Sequence, residues 1–169
     1  MITENKGVVT GILIAATLWF FMFSPWTAPM INFWGAMTFS AVILTCVSWW
    51  LCPEMFKELR FGGKQIVLGF AIAFVLWWVF WIGDKMSQLI FNFARPQVDM
   101  IYSMGNGTSS VIIAILLLLI IGPAEEIFWR GFVQRRLMLR FGSNIGFIAA
   151  TVCYALVHIW SFNFMLVMA

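Results

Sequence analysis

Residues 66–82 read Ile-Val-Leu-Gly-Phe-Ala-Ile-Ala-Phe-Val-Leu-Trp-Trp-Val-Phe-Trp-Ile, without one charged side chain. Such a run has no polar face to offer water, and its length approaches the roughly 20 residues that cross a bilayer as a helix. Comparable runs occupy residues 8–23, 30–51, the stretch from Ser110 onward, and 145–168. In lipid every backbone polar group must be satisfied within the protein, so consecutive runs of this kind fold as helices. The fold expected is all-α: a polytopic transmembrane helical bundle of about five spans, forming a single transmembrane domain over residues 1–169. Composition agrees. The chain is 63% hydrophobic and 10% charged, against about 45–50% and about 25% in a soluble domain. The lipid bilayer is therefore the first partner the sequence implies.

Punctuation between the runs sets the expected boundaries. Pro25 and Pro29 mark a turn after the first span, which is extended by Trp26. Pro53 stops the second, and residues 54–65 form a charged loop with Gly62-Gly63. The third span is expected to end near Gly83-Asp84. Beyond it, Met86, Leu89, Ile90 and Phe93 recur at helical spacing with Lys85, Gln88, Asn92 and Arg95 between them, which describes an interfacial amphipathic helix ended by Pro96. Gly105-Asn106-Gly107-Thr108 reads as a turn, with Thr108 or Ser109 as cap of the next helix. The fourth span runs through Gly122-Pro123 into Glu125 and Arg130. Ser24-Pro25-Trp26-Thr27-Ala28-Pro29 offers no small-x-small cleavage site and more hydrophobic segments follow, so the first run reads as an uncleaved span.

Lys6, the set Lys57, Arg60 and Lys64, and the set Arg135, Arg136 and Arg140 fall on one side if the spans alternate, leaving Lys85 and Arg95 on the other. The positive-inside rule then places the N-terminus and the 135–140 segment in the cytoplasm; separately, the expected location is a bacterial cytoplasmic membrane. The net charge of +3 is explained by topology, and no nucleic-acid-binding motif is present. Cys46, Cys52 and Cys153 lie in apolar stretches and do not make a disulfide framework. With one histidine, His158, no spaced ligand cluster for structural zinc is visible.

Two constellations carry chemistry. Glu125-Glu126-x-x-x-Arg130 puts adjacent carboxylates in an apolar helix, where ionisable groups face a protein interior or water cavity and are functional by default. Glu126 and Arg130, four apart, share a face and can pair. Glu125 points about 100° away from Glu126, so the arginine is expected to hold a buried Glu126 while Glu125 faces a cavity. The bland alternative makes this the interfacial end of a span, with Arg130, Arg135 and Arg136 as snorkelling anchors. Tyr154-x-x-x-His158 is the second constellation, again four apart on one face. A histidine of this kind is either a hydrogen-bonded packing residue or half of a site. Asn163 reads as an interhelical hydrogen-bonding or end-of-span residue. Together, Glu125 as base and His158 as orienting group can share one water and direct it at a peptide carbonyl, whose oxyanion then needs donors.

Gly122-Pro123-Ala124-Glu125-Glu126-Ile127-Phe128-Trp129-Arg130-Gly131 resembles the first motif of the type II CAAX prenyl protease and bacterial Abi (CPBP) family. Tyr154-Ala155-Leu156-Val157-His158 resembles the second, Phe-x-x-x-His, with Tyr for Phe. The resemblance is carried by residues 121–164, with core family motifs at about 111–169. It implies an intramembrane endopeptidase acting on a peptide or membrane-protein substrate, or a role in bacteriocin self-immunity. It implies Glu125 and His158 as catalytic, with Glu126, Arg130 and Tyr154 supporting. Members are often labelled metalloproteases. Glu125, Glu126 and His158 would be the ligands of a divalent metal, but the chemistry also runs on glutamate and histidine alone, and no tightly bound cofactor is expected. The family's third motif, His-x-x-x-Asn or Asp, has no match, so the sequence is expected to be a C-terminal truncation of a longer protein. Two other classes stand beside the protease: a non-catalytic membrane immunity or scaffold protein, and a small proton-coupled transporter, which the lack of an inverted repeat disfavours.

Overall fold

In a computed structural model, which describes residues 2–58, 62–105 and 107–168, every regular element is a helix. α1 spans Ile2–Phe23, α2 Phe33–Leu51, α3 Glu54–Glu58, α4 Gly63–Ile90 and α5 Ala94–Ser103. A single winding rod, α6, runs Ser110–Phe141. α7 spans Ser143–Val157 and α8 Phe164–Met168. Four helices have the length and apolarity to cross a membrane, and α1 contributes a shorter apolar stretch over Gly7–Phe23. This is the helical membrane bundle read from the sequence. Arg60 and Asn106, which figured in the charged loop and the turn, lie outside the described residues, as does the side chain of Lys6.

Local chemistry explains several boundaries. α2 starts at Phe33, later than expected, because Asn32 caps it: its Oδ1 accepts from the Gly35 N–H at 2.8 Å. Ser109 occupies the cap position of α6 without a side-chain cap bond. Gly142 turns the chain between α6 and α7 at φ 83°, a conformation that costs a Cβ-bearing residue dearly. Gly146 then lets α7 lie against the backbone of Leu137 and Met138.

Three expectations need correction. The third span does not stop at Gly83-Asp84. α4 continues to Ile90, so Met86, Leu89 and Ile90 belong to it; Asp84 is absorbed at the helix end by the Gln88 amide at 2.7 Å and Lys85 at 3.9 Å. Pro96 does not end the amphipathic helix but sits in the first turn of α5, where its missing N–H would have no intrahelical partner anyway. α5 turns Ala94, Gln97, Val98 and Ile101 inward and leaves Arg95, Asp99 and Met100 outside. The fifth span is not continuous over 145–168. It breaks after Val157 into a short 3-10 turn, Ile159–Ser161, then Phe162 at φ 49°, then α8. Asn163 causes the break. Its Oδ1 accepts from the Leu166 N–H and its Nδ2 donates to the Gln97 carbonyl, while the Gln97 side chain accepts from the Met165 N–H. Asn163 is thus the interhelical hydrogen-bonding residue of the bland reading, tying α8 to α5.

The core lies among α1, α2, α6 and α7. Trp19, Met22, Leu44, Phe128, Trp129, Phe132 and Val133 are all but fully buried in it. Two bidentate or short ion pairs close one end. Arg135 grips Glu58 at 2.7 and 2.9 Å, and Arg136 reaches Glu54 at 2.7 Å and the Leu51 carbonyl at 3.3 Å. Arg135 and Arg136 are therefore clamps on α3, rather than lone anchors. α1 runs antiparallel to α2, with Gly7 beside Leu51, so the start of α1 lies at the end of the bundle where Arg136 reaches Leu51 and Glu54.

Candidate active site

Pro123 lacks a backbone donor, and it sits in mid-rod. On either side of it α6 widens to π-helix, over Leu117–Ile121 and Glu126–Gln134; the Gly122 N–H bonds back five residues to the Leu117 carbonyl. π turns inside α-helices accommodate such interruptions and cluster at functional sites. The four-residue α turn between them, Gly122–Glu125, carries Glu125 at its end.

The two carboxylates meet different surroundings. Half-buried Glu125 faces α7, where Oε2 accepts from the Tyr154 hydroxyl at 3.1 Å. Glu126 points away, with its side chain 62% exposed and Arg130 at 3.5 Å. The expectation of a buried Glu126 fails here: the carboxylate lies on an open, largely apolar cavity of about 410 Å³ lined also by Met55, Glu58, Ile127, Arg130 and Arg135. Arg130 also stacks its guanidinium over the Tyr154 ring at 5.0 Å, so it braces Tyr154 as well as Glu126.

His158 closes α7, 7% exposed. The Trp19 indole N–H reaches its Nε2 at 2.9 Å. An indole nitrogen only donates, so Nε2 accepts, and the proton of the neutral ring sits on Nδ1, 2.9 Å from the Tyr154 carbonyl oxygen. Both ring nitrogens have protein partners. Tyr154 thereby serves both motifs, with its hydroxyl on Glu125 and its carbonyl on His158. Aromatic rings fill the rest of the wall: Trp19, Phe23 and Tyr154 lie 5.9, 5.4 and 5.1 Å from the imidazole, and Trp129 meets Tyr154 edge-on at 5.3 Å. Trp129 Nε1 is buried without a hydrogen-bond partner.

Glu125, Tyr154 and His158 are thus brought together, with Arg130 adjoining and Glu126 turned aside. Glu125, Glu126 and His158 do not converge as a metal-ligand set. Glu126 faces outward, and the His158 nitrogens are engaged. Among the described residues no group of three His, Cys, Asp or Glu stands close enough to hold a metal ion. Trp19 and Trp129 were not singled out from the sequence. Nothing separates Trp19 from nine other tryptophans except its position in the fold, whereas Trp129 sits inside the first motif.

Comparison with curated proteins and with solved structures finds no match. A family model does match: residues 107–169 fit the one described as type II CAAX prenyl endopeptidase Rce1-like. The matched segment holds α6, α7 and α8, and so both motifs; α1 to α5 lie outside it. Over this segment, and so over both motifs, the chain is similar to the Rce1-like type II CAAX prenyl endopeptidases.

Proposed function

We propose that the protein is an intramembrane endopeptidase in which Glu125 and His158 activate water against a peptide bond. The observation that carries the reading is the Tyr154 bridge, a hydroxyl on Glu125 and a carbonyl on His158, which joins the two motifs across α6 and α7. With Oε2 held by Tyr154, the other Glu125 oxygen is the base. It takes a proton as the water oxygen bonds to the carbonyl carbon, and it returns that proton to the departing amine as the C–N bond breaks. A neutral His158 protonated at Nδ1 can only accept at Nε2, so its part is to orient the water. Arg130 and Tyr154 hold Glu125 in place, and Glu126 keeps Arg130 over the ring.

The substrate class is a peptide or membrane-protein segment reached from the bilayer. The setting is a bacterial cytoplasmic membrane, with the N-terminus and the basic end of the bundle in the cytoplasm. Incubating the full chain in nanodiscs with membrane peptides in ¹⁸O water tests the reading. Endoproteolysis leaves one heavy oxygen in each new C-terminal carboxylate, read by mass spectrometry; intact peptides contradict it. One observation favours a second reading, a non-catalytic immunity or scaffold protein: both His158 nitrogens are already satisfied, as in a packing histidine. Under that reading partner binding survives Glu125→Ala.

A further inference from the structure

The hydrogen bond between Trp19 and His158 sits awkwardly with water activation, and the conflict is informative. A neutral imidazole has one lone pair in the ring plane. Here that lone pair, on Nε2, already accepts the Trp19 N–H at 2.9 Å. A water cannot be oriented by the same lone pair until the indole lets go. Trp19 is also held as a latch would be: 1% exposed, edge-on to the imidazole at 5.9 Å and edge-on to Trp129 at 6.5 Å. It comes from α1, 139 residues before His158 and outside the segment shared with the family. Glu125 on α6, by contrast, is hydrogen-bonded to α7 through Tyr154, so movement of α1 relative to α7 would uncover His158 and leave the Glu125 contact intact.

We propose that Trp19 is a positioning residue that latches His158. It fixes the Nδ1–H tautomer and occupies Nε2, keeping the site at rest until α1 shifts and the indole yields Nε2 to a water. The latch rests on the protease reading for its effect on rate, but not for its existence. Trp19→Phe keeps an aromatic ring and removes the donor. Losing one neutral hydrogen bond, about 0.5–1.5 kcal/mol net, should raise cleavage about twofold to tenfold.

The test uses the full chain, uniformly ¹⁵N-labelled, in nanodiscs; its single histidine makes the imidazole signals unambiguous. In the native protein Nδ1 should carry the proton and Nε2 should show the shift of a hydrogen-bonded acceptor. In Trp19→Phe the Nε2 signal should move while Nδ1 stays protonated, and cleavage should rise. Thermal melting checks that the variant is folded, and Trp19→Leu gives a second, independent removal of the donor. A native ring protonated at Nε2, or an Nε2 signal unmoved in both variants, overturns the latch. So does a moved signal with cleavage unchanged or reduced in both folded variants. If the native protein and both variants all fail to cleave, the protease reading falls and the imidazole spectrum alone decides whether the lock on Nε2 exists.

Discussion

α4 and α6 have nearly the same mean hydropathy over their best windows, 2.3 and 2.4, yet 17% of the α6 window is buried and none of α4. The less apolar α2 and the stretch Ser143–Ser161, which contains α7, both at 1.4, are each 22% buried. Hydropathy therefore reports that a helix belongs in lipid and nothing about which helices touch. Packing follows another signal. In a bilayer the apolar surface gains little from leaving lipid, so helices associate where small residues let backbones close and polar groups pair. Many buried positions are of that kind: Ala15, Ser40, Ala41, Ser48, Ala124, Gly146 and Ala150. Along α4 the aromatic residues meet one another edge-on within their own helix, Trp77 with Trp78 and Trp78 with Trp81, and its glycines Gly69 and Gly83 face open space.

Matched substitutions in the two regions can break this comparison. Phe128→Ala empties a fully buried position and should cost about 3–5 kcal/mol, whereas Phe74→Ala, at a position 63% exposed, should stay within about 0.5 kcal/mol; chemical unfolding in mixed micelles compares the two. Gly146→Val places carbon against the Leu137–Met138 backbone and should cost at least about 1–3 kcal/mol. The same change at Gly69, with nothing within 4 Å, should leave unfolding unaltered. Tyr154→Phe removes only the hydroxyl on Glu125 and should lose about 1 kcal/mol of stability together with about tenfold in cleavage rate.

The smallest expected effect belongs to the α3 clamp. A hydrogen bond from its own backbone N–H, with the Cys52 thiol second, holds the Glu54 carboxyl below its ordinary 4.5, and the Arg135 hydrogen bond does the same for Glu58. Carboxyls depressed in the folded state add stability that is complete above the ordinary value and fades as acid titrates them. The melting temperature should fall as pH drops below about 4.5, and by less in a Glu54→Gln, Glu58→Gln double variant. Both groups are exposed, so the difference is small.

What the sequence made legible was local. The spans follow from unbroken apolar runs, and Glu126–Arg130 and Tyr154–His158 follow from a four-residue spacing on one helix. What it hid was mostly long-range. Trp19 reaches His158 from the far end of the chain, and ten tryptophans look alike in a sequence. The break before α8 rests on Asn163 finding Gln97, a partner 66 residues away. Pro96 was misplaced for a local reason: a proline that stops one helix and a proline that begins the next share the same sequence signal.

The central claim is that Glu125 is the base of a hydrolytic site. Hydrolysis of a quenched fluorescent membrane peptide by the full chain in nanodiscs, native against Glu125→Gln, tests it most directly. Glu125→Gln should lose about 100-fold to 10,000-fold in rate, with membrane insertion and melting unchanged. Cleavage at the native rate by a folded Glu125→Gln protein would contradict it.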